Sequence, residues 1–195
     1  MSKFENYTEI DSLGLLLKEI ENNIQNKNFY VAMYLSLSIP DILGLCEHPE
    51  FKDKTQERYV LWFDENVRDF FGFLPHDSFY GEDGSFMNGK VCYQIRCKVF
   101  HQGTNDIFDK TGIDEFVFSM GDDDFVHGMT FGTDYDLSTY DQTTNAVSSN
   151  SYLYVSCKEF ATNMLKAAKA FISSHPNLSY PKIKINQCGG KAILF

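Results

Sequence analysis

The stretch from Asn28 to Leu45 limits most strongly what this chain can fold into. Phe29, Val31, Met33, Tyr34, Leu35, Leu37, Ile39, Ile42 and Leu43 fall on nearly every side of a helix built from it. A helix without a polar face belongs in the interior, so other elements must surround it. Pro40 has no amide hydrogen to donate and crowds the preceding turn, which predicts a kink or break near Ser38.

The flanking segments supply the surrounding helices. From Asp11 to Lys27, Leu13, Leu16, Leu17, Ile20 and Ile24 recur at three- and four-residue steps. That spacing predicts an amphipathic helix capped by Asp11 or Ser12. Glu47–Phe51 reads as a turn. Asp53 or Thr55 then opens a third helix carrying Tyr59, Val60, Trp62, Phe63, Val67, Phe70 and Phe71, with Gly72 as its stop. A loop marked by Pro75, Asp77, Gly81 and Asp83 precedes a fourth helix from about Ser85 to Gly103, with Val91, Ile95 and Val99 along its core face. Beyond Gly103 the pattern changes. Glu115–Met120 and Ser151–Ser156 read as strands, and the polar residues 121–150 as long loops or a loose hairpin. A fifth helix covers Lys158–Ser173, and Lys182–Ile185 alternates like a short edge strand. The expected fold is mainly α, an antiparallel helical bundle with a small β-hairpin insertion before the last helix. Residues 1–195 read as a single helical domain, with the β/loop insertion at about 113–156.

Composition narrows the function classes. At 43% hydrophobic and 15% aromatic, the chain has the apolar area to offset its conformational entropy, which excludes wholesale disorder. The 27 acidic and 17 basic side chains leave a net charge of -10. That field repels nucleic acid and anionic membranes on average, so any RNA contact needs a local basic patch. The five cysteines (Cys46, Cys92, Cys97, Cys157 and Cys188) form no CxxC pair and are expected to be free, mostly buried thiols. Met1–Asn6 has no signal-peptide character, and no stretch reads as the ~20 apolar residues of a membrane span. A cytoplasmic location with no membrane association is expected. Asp122, Asp123, Asp124, Asp134 and Asp136 match no EF-hand spacing and read as a solvated acidic loop. Cys92, Cys97 and His101 cannot converge on one metal from one straight helix. His48, His76, His127 and His175 sit beside turn residues and read as surface loop histidines. No metal and no cofactor is expected.

One pair of residues suggests chemistry. Gly89–Gly103 reads as the end of the fourth helix, with Arg96 and His101 near its exit. Five residues along a straight α-helix is a rotation of about 140°, so the two side chains share no face unless the helix unwinds between them. Gly103 is placed to act as a left-handed cap just beyond His101. His101 also lies where the negative end of the helix dipole favours imidazolium, which suits general-acid duty.

Arg96-Cys-Lys-Val-Phe-His101, on a late helix of an all-α bundle, resembles the Arg–gap–His motif of the HEPN superfamily. That resemblance covers about 15 residues closely and Asp11 to Gly103 loosely. HEPN proteins are helical bundles, commonly dimers, and many are metal-independent endoribonucleases of toxin, antiphage or RNA-processing systems. The resemblance implies a homodimer in which two motif helices meet at one cleft, and RNA as the substrate. His101 would act as acid and base on the ribose 2′-hydroxyl or the leaving 5′-oxygen. Arg96 would take the phosphorane charge, which its forked guanidinium suits. Catalytic members usually carry a polar residue directly after the Arg, and here that residue is Cys97.

Two other readings stay open. In one, Arg96 is a salt-bridge partner for Asp64, Glu65 or Asp69, and His101 simply caps its helix. In the other, the chain is a non-catalytic HEPN-like binding or scaffolding module that dimerises through the same helix and engages a protein partner such as an antitoxin or regulator. A pairing of Arg96 with a carboxylate of its own chain would weigh against catalysis.

Overall fold

The apolar run at the centre of the chain divides into two helices, α2 (Phe29–Ser36) and α3 (Ile39–Glu47). In the computed structural model, which describes residues 7–71, 87–102, 115–121, 129–141 and 146–186, the joint falls at Leu37 and Ser38. Pro40 lies in the first turn of α3, where its missing amide hydrogen leaves no helix bond unmade. Two hydroxyls satisfy carbonyls at the end of α2: Ser36 Oγ donates to Met33 O (2.7 Å) and Ser38 Oγ to Leu35 O (2.6 Å). Phe29–Glu47 has the length and apolar character of a membrane-crossing helix, more than the sequence reading allowed, and half of it is buried within the chain.

Four further helices pack around this pair. The N-cap of α1 (Ser12–Gln25) is Asp11, whose Oδ1 accepts from the Gly14 amide at 2.9 Å, and the helix buries Leu13, Leu17 and Ile20. Tyr59, Trp62 and Phe63 of α4 (Thr55–Asn66) are fully buried, and a 3₁₀ turn at Arg68–Phe71 follows. The expected stop at Gly72 lies outside the described residues. Asn88 opens α5 (Gly89–Cys97) by accepting from the Val91 amide at 3.0 Å, later than the expected start at Ser85. The longest helix, α6 (Cys157–Ser174), is capped by Ser156 and buries Phe160, Ala161, Met164, Leu165, Ala168 and Phe171. It lies against α2, as does α1, while α3 and α5 both lie against α4. The fold is mainly α. One expectation fails in part: α2 is not enclosed on every side, because Tyr30, Val31 and Tyr34 remain 40%, 46% and 38% exposed. Apolar periodicity marks which residues can be buried, and tertiary packing decides which are.

The β content exceeds a hairpin. β2 (Glu115–Ser119), β3 (Met129–Asp141) and β4 (Ala146–Ser156) form a three-stranded sheet in the order β2-β4-β3. β2 runs parallel to β4 and β3 antiparallel to it. Of the two expectations for the polar span, long loops fail, and much of it is paired antiparallel strand. Its Ser, Thr, Asn and Asp content reads as turn, yet strand pairing is made by the backbone and tolerates polar side chains outside the core. Phe116, Leu153 and Val155 carry the sheet into the core. A second sheet pairs β1 (Tyr7–Asp11) antiparallel with β5 (Lys182–Asn186). β5 was expected. β1 was not, since five residues without alternation carry no strand signal of their own.

Burial of ionisable groups makes this core sensitive to alkali. Desolvation pushes the Cys157 thiol from an ordinary 9.0 up to about 11. Burial also raises Tyr59 and Cys92, which sit 3.3 Å apart in the core. The folded state holds these groups neutral while the unfolded chain ionises its thiols near pH 9. The Cys157 contribution is therefore complete below that pH and is lost as pH rises from about 9 toward about 11, while the loss from Cys92 and Tyr59 extends to higher pH. The urea midpoint is expected to fall across that window. Cys157→Ala should flatten the decline, and a midpoint constant through the window would contradict it.

Candidate functional site

Arg96 occupies the last turn of α5, and two contacts set where that helix lies. The Gly89 amide donates to Asp64 Oδ1 of α4 at 2.6 Å. Gly89 also sits directly on the Val60 backbone, where no side chain would fit. This docking carries Arg96 to the first turn of α3. There its Nε donates to Asp41 Oδ2 at 3.0 Å, and Nη2 forms an ion pair with the same oxygen at 2.9 Å. The two side chains are only 18% and 20% exposed. Among the described carboxylates its ion-pair partner is thus Asp41, not Asp64, Glu65 or Asp69. Glu65 lies instead within 3.1 Å of His48.

Aromatic rings flank the pair. The guanidinium carbon lies 5.9 Å from the Tyr93 ring centre and 5.5 Å from that of Phe100. Phe100 in turn meets the edge of Tyr34 at 4.5 Å, and Tyr93 that of Tyr59 at 5.3 Å. Burial works to lower the Arg96 pKa, but the charge and hydrogen bonds of Asp41 outweigh it and hold the group above its ordinary value. Tyr93 is raised by burial first and then by its hydrogen bond with Cys97. Arg96 is therefore a permanent cation whose charge is offset by its own chain.

His101 lies in a π-helical turn, Lys98–Gln102, that continues α5. The i→i+5 bonding of a π turn places positions five apart about one turn from each other, as i→i+4 bonding does in an α-helix. The offset between positions 96 and 101 is consequently smaller than a straight α-helix gives. The His101 side chain and the whole of Gly103 lie outside the described residues. So do Asp122–Asp124, His76, His127 and the side chains of Asp134 and Asp136; Asp134 and Asp136 contribute strand positions opposite Asn150 and Ser148.

Two histidines differ from their expected surface loops. His175 caps α6 and stacks on Phe171 at 4.3 Å. His48 caps α3, is 17% exposed and faces three carboxylates. The sequence reading missed Asp41 and the His48 cluster. The signals available were an acidic residue in a Pro-led first turn and the run Glu47-His-Pro-Glu50.

Comparison of the chain with family models, with curated proteins and with solved structures finds no match.

Proposed function

We propose that this chain is a non-catalytic helical module of HEPN-like bundle type that works as a homodimer and binds a protein partner. The observation that carries this reading is the placement of Arg96 2.9 Å from Asp41 of its own chain, with the Tyr93 and Phe100 ring centres 5.9 and 5.5 Å from its guanidinium carbon. A guanidinium so engaged ties α5 to α3. A phosphate would have to compete with a carboxylate for the same N–H groups, on a chain of net charge -10. The exposed face of α2, with Tyr30, Val31 and Tyr34 beside Phe100, gives a second copy an apolar surface to cover. Sedimentation equilibrium is expected to find a dimer that Val31→Asp converts to monomer. A wild-type chain that stays monomeric at every concentration would overturn the dimer.

The π turn favours a second reading, a metal-independent HEPN endoribonuclease, because such turns are frequent at functional sites and this one narrows the offset between Arg96 and His101. In that reading Asp41 orients Arg96 toward a phosphorane while His101 moves the proton. Its signature is RNA cleavage in the presence of a chelator that disappears in His101→Ala.

A further inference from the structure

We propose a divalent-cation site where α3 ends against α4, formed by His48 Nε2, Glu47 Oε2 and Glu65 Oε2. Nε2 lies 3.7 Å from the Glu47 oxygen and 3.1 Å from the Glu65 oxygen, and all three donor atoms fall within 4.8 Å of one another. Donors about 2.0–2.1 Å from a tetrahedral ion stand roughly 3.4 Å apart, so the two measured separations bracket what one ion requires.

The surroundings match those of a metal-bound histidine. The other ring nitrogen, Nδ1, faces Glu50 Oε1 at 3.6 Å, on the side where a carboxylate orients the imidazole and leaves Nε2 for the ion. The ring lies near Phe51, and the His48 amide is bonded to Gly44 O at 2.9 Å, so the residue is held from both ends. Asn66 Nδ2 donates to Glu47 Oε2 at 3.2 Å and to Trp62 O at 3.1 Å, which ties that carboxylate to α4.

Charge supplies the driving force. Three carboxylates gathered around one ring repel one another, and a divalent ion held by the neutral imidazole sets two positive charges among them. One nitrogen and two carboxylate oxygens suit zinc better than calcium or magnesium, which prefer shells made of oxygen. Glu65 is 48% exposed, so a fourth position is open to water. Bound there, the ion would clamp the end of α3, the helix that carries Asp41, to α4.

The test is calorimetric titration of the chelator-stripped full chain with zinc chloride, followed by thermal unfolding. One saturable zinc per chain and a raised Tm are expected, with no comparable response to calcium. His48→Ala and Glu65→Gln should each weaken binding by about tenfold or more. Cys46→Ser should leave it unchanged. Because Glu65 is half-exposed, its variant tests the site without threatening the fold. Absence of saturable binding would overturn the proposal. So would binding that survives both variants, or that is lost in Cys46→Ser.

Discussion

Gly89→Ala is expected to destabilise the fold by about 2–4 kcal/mol, more than the same change at Gly44. A Cβ at this position would fall within 3 Å of the Val60 Cα, carbonyl carbon and oxygen. These are backbone atoms inside α4 and cannot rotate aside, so the two helices must separate. Separation also stretches the 2.6 Å bond from the Gly89 amide to Asp64, a charge-assisted bond of about 1.5–3 kcal/mol. The gain in helix propensity from Gly to Ala, about 1 kcal/mol, is too small to compensate. Gly44→Ala makes the control. Its Cβ would meet the Arg58 and Trp62 atoms at 3.1 and 3.2 Å, a tighter fit than usual but one a small shift can relieve. Urea unfolding should therefore rank the variants Gly89→Ala well below Gly44→Ala. Equal midpoints would mean that α5 does not lie on α4 as described.

The second large effect concerns Asp41 and Arg96. Each single change to Ala is expected to cost about 2 kcal/mol, because it leaves a mostly buried charge without its partner. The double variant should cost much less than the sum, with a coupling of about 1–2 kcal/mol. An exposed pair would lose that coupling in high salt, whereas this one, about four-fifths buried, should keep most of it. Arg96→Lys should fail to rescue. A single ammonium lacks the planar fork that sets Nε and Nη2 both about 3 Å from Asp41 Oδ2 near the Tyr93 and Phe100 rings. Additive single variants would remove the pair from any structural role.

What could be read from the residues alone follows from how local each feature is. The helices announced themselves through apolar spacing, and the break near Ser38 followed from Pro40, because helix bonds and proline geometry act within a few residues. β1 was invisible since its register is set by β5, with Tyr7 opposite Asn186 at the other end of the chain. The strands at 129–150 were hidden by side chains that favour turns. At the candidate site, Arg96 was found but its partner was not. Asp41 lies 55 residues away, and only the docking of α5 on α4 brings the two together. The expected offset between Arg96 and His101 assumed a regular helix, and the π turn at Lys98–Gln102 changes that geometry. Nothing in the local spacing foretells it. His48 shows the same limit, since a histidine beside a proline reads as loop until Glu65 arrives from another helix.

The most direct measurement is the cleavage of a mixed-sequence RNA, with chelator present, by the wild-type chain and by His101→Ala at equal folded concentration. With Arg96 committed to Asp41, both proteins should leave the RNA intact, and their traces should coincide with the buffer control. Wild-type cleavage that disappears in His101→Ala would contradict the non-catalytic reading and make Arg96 and His101 the working pair of an endoribonuclease.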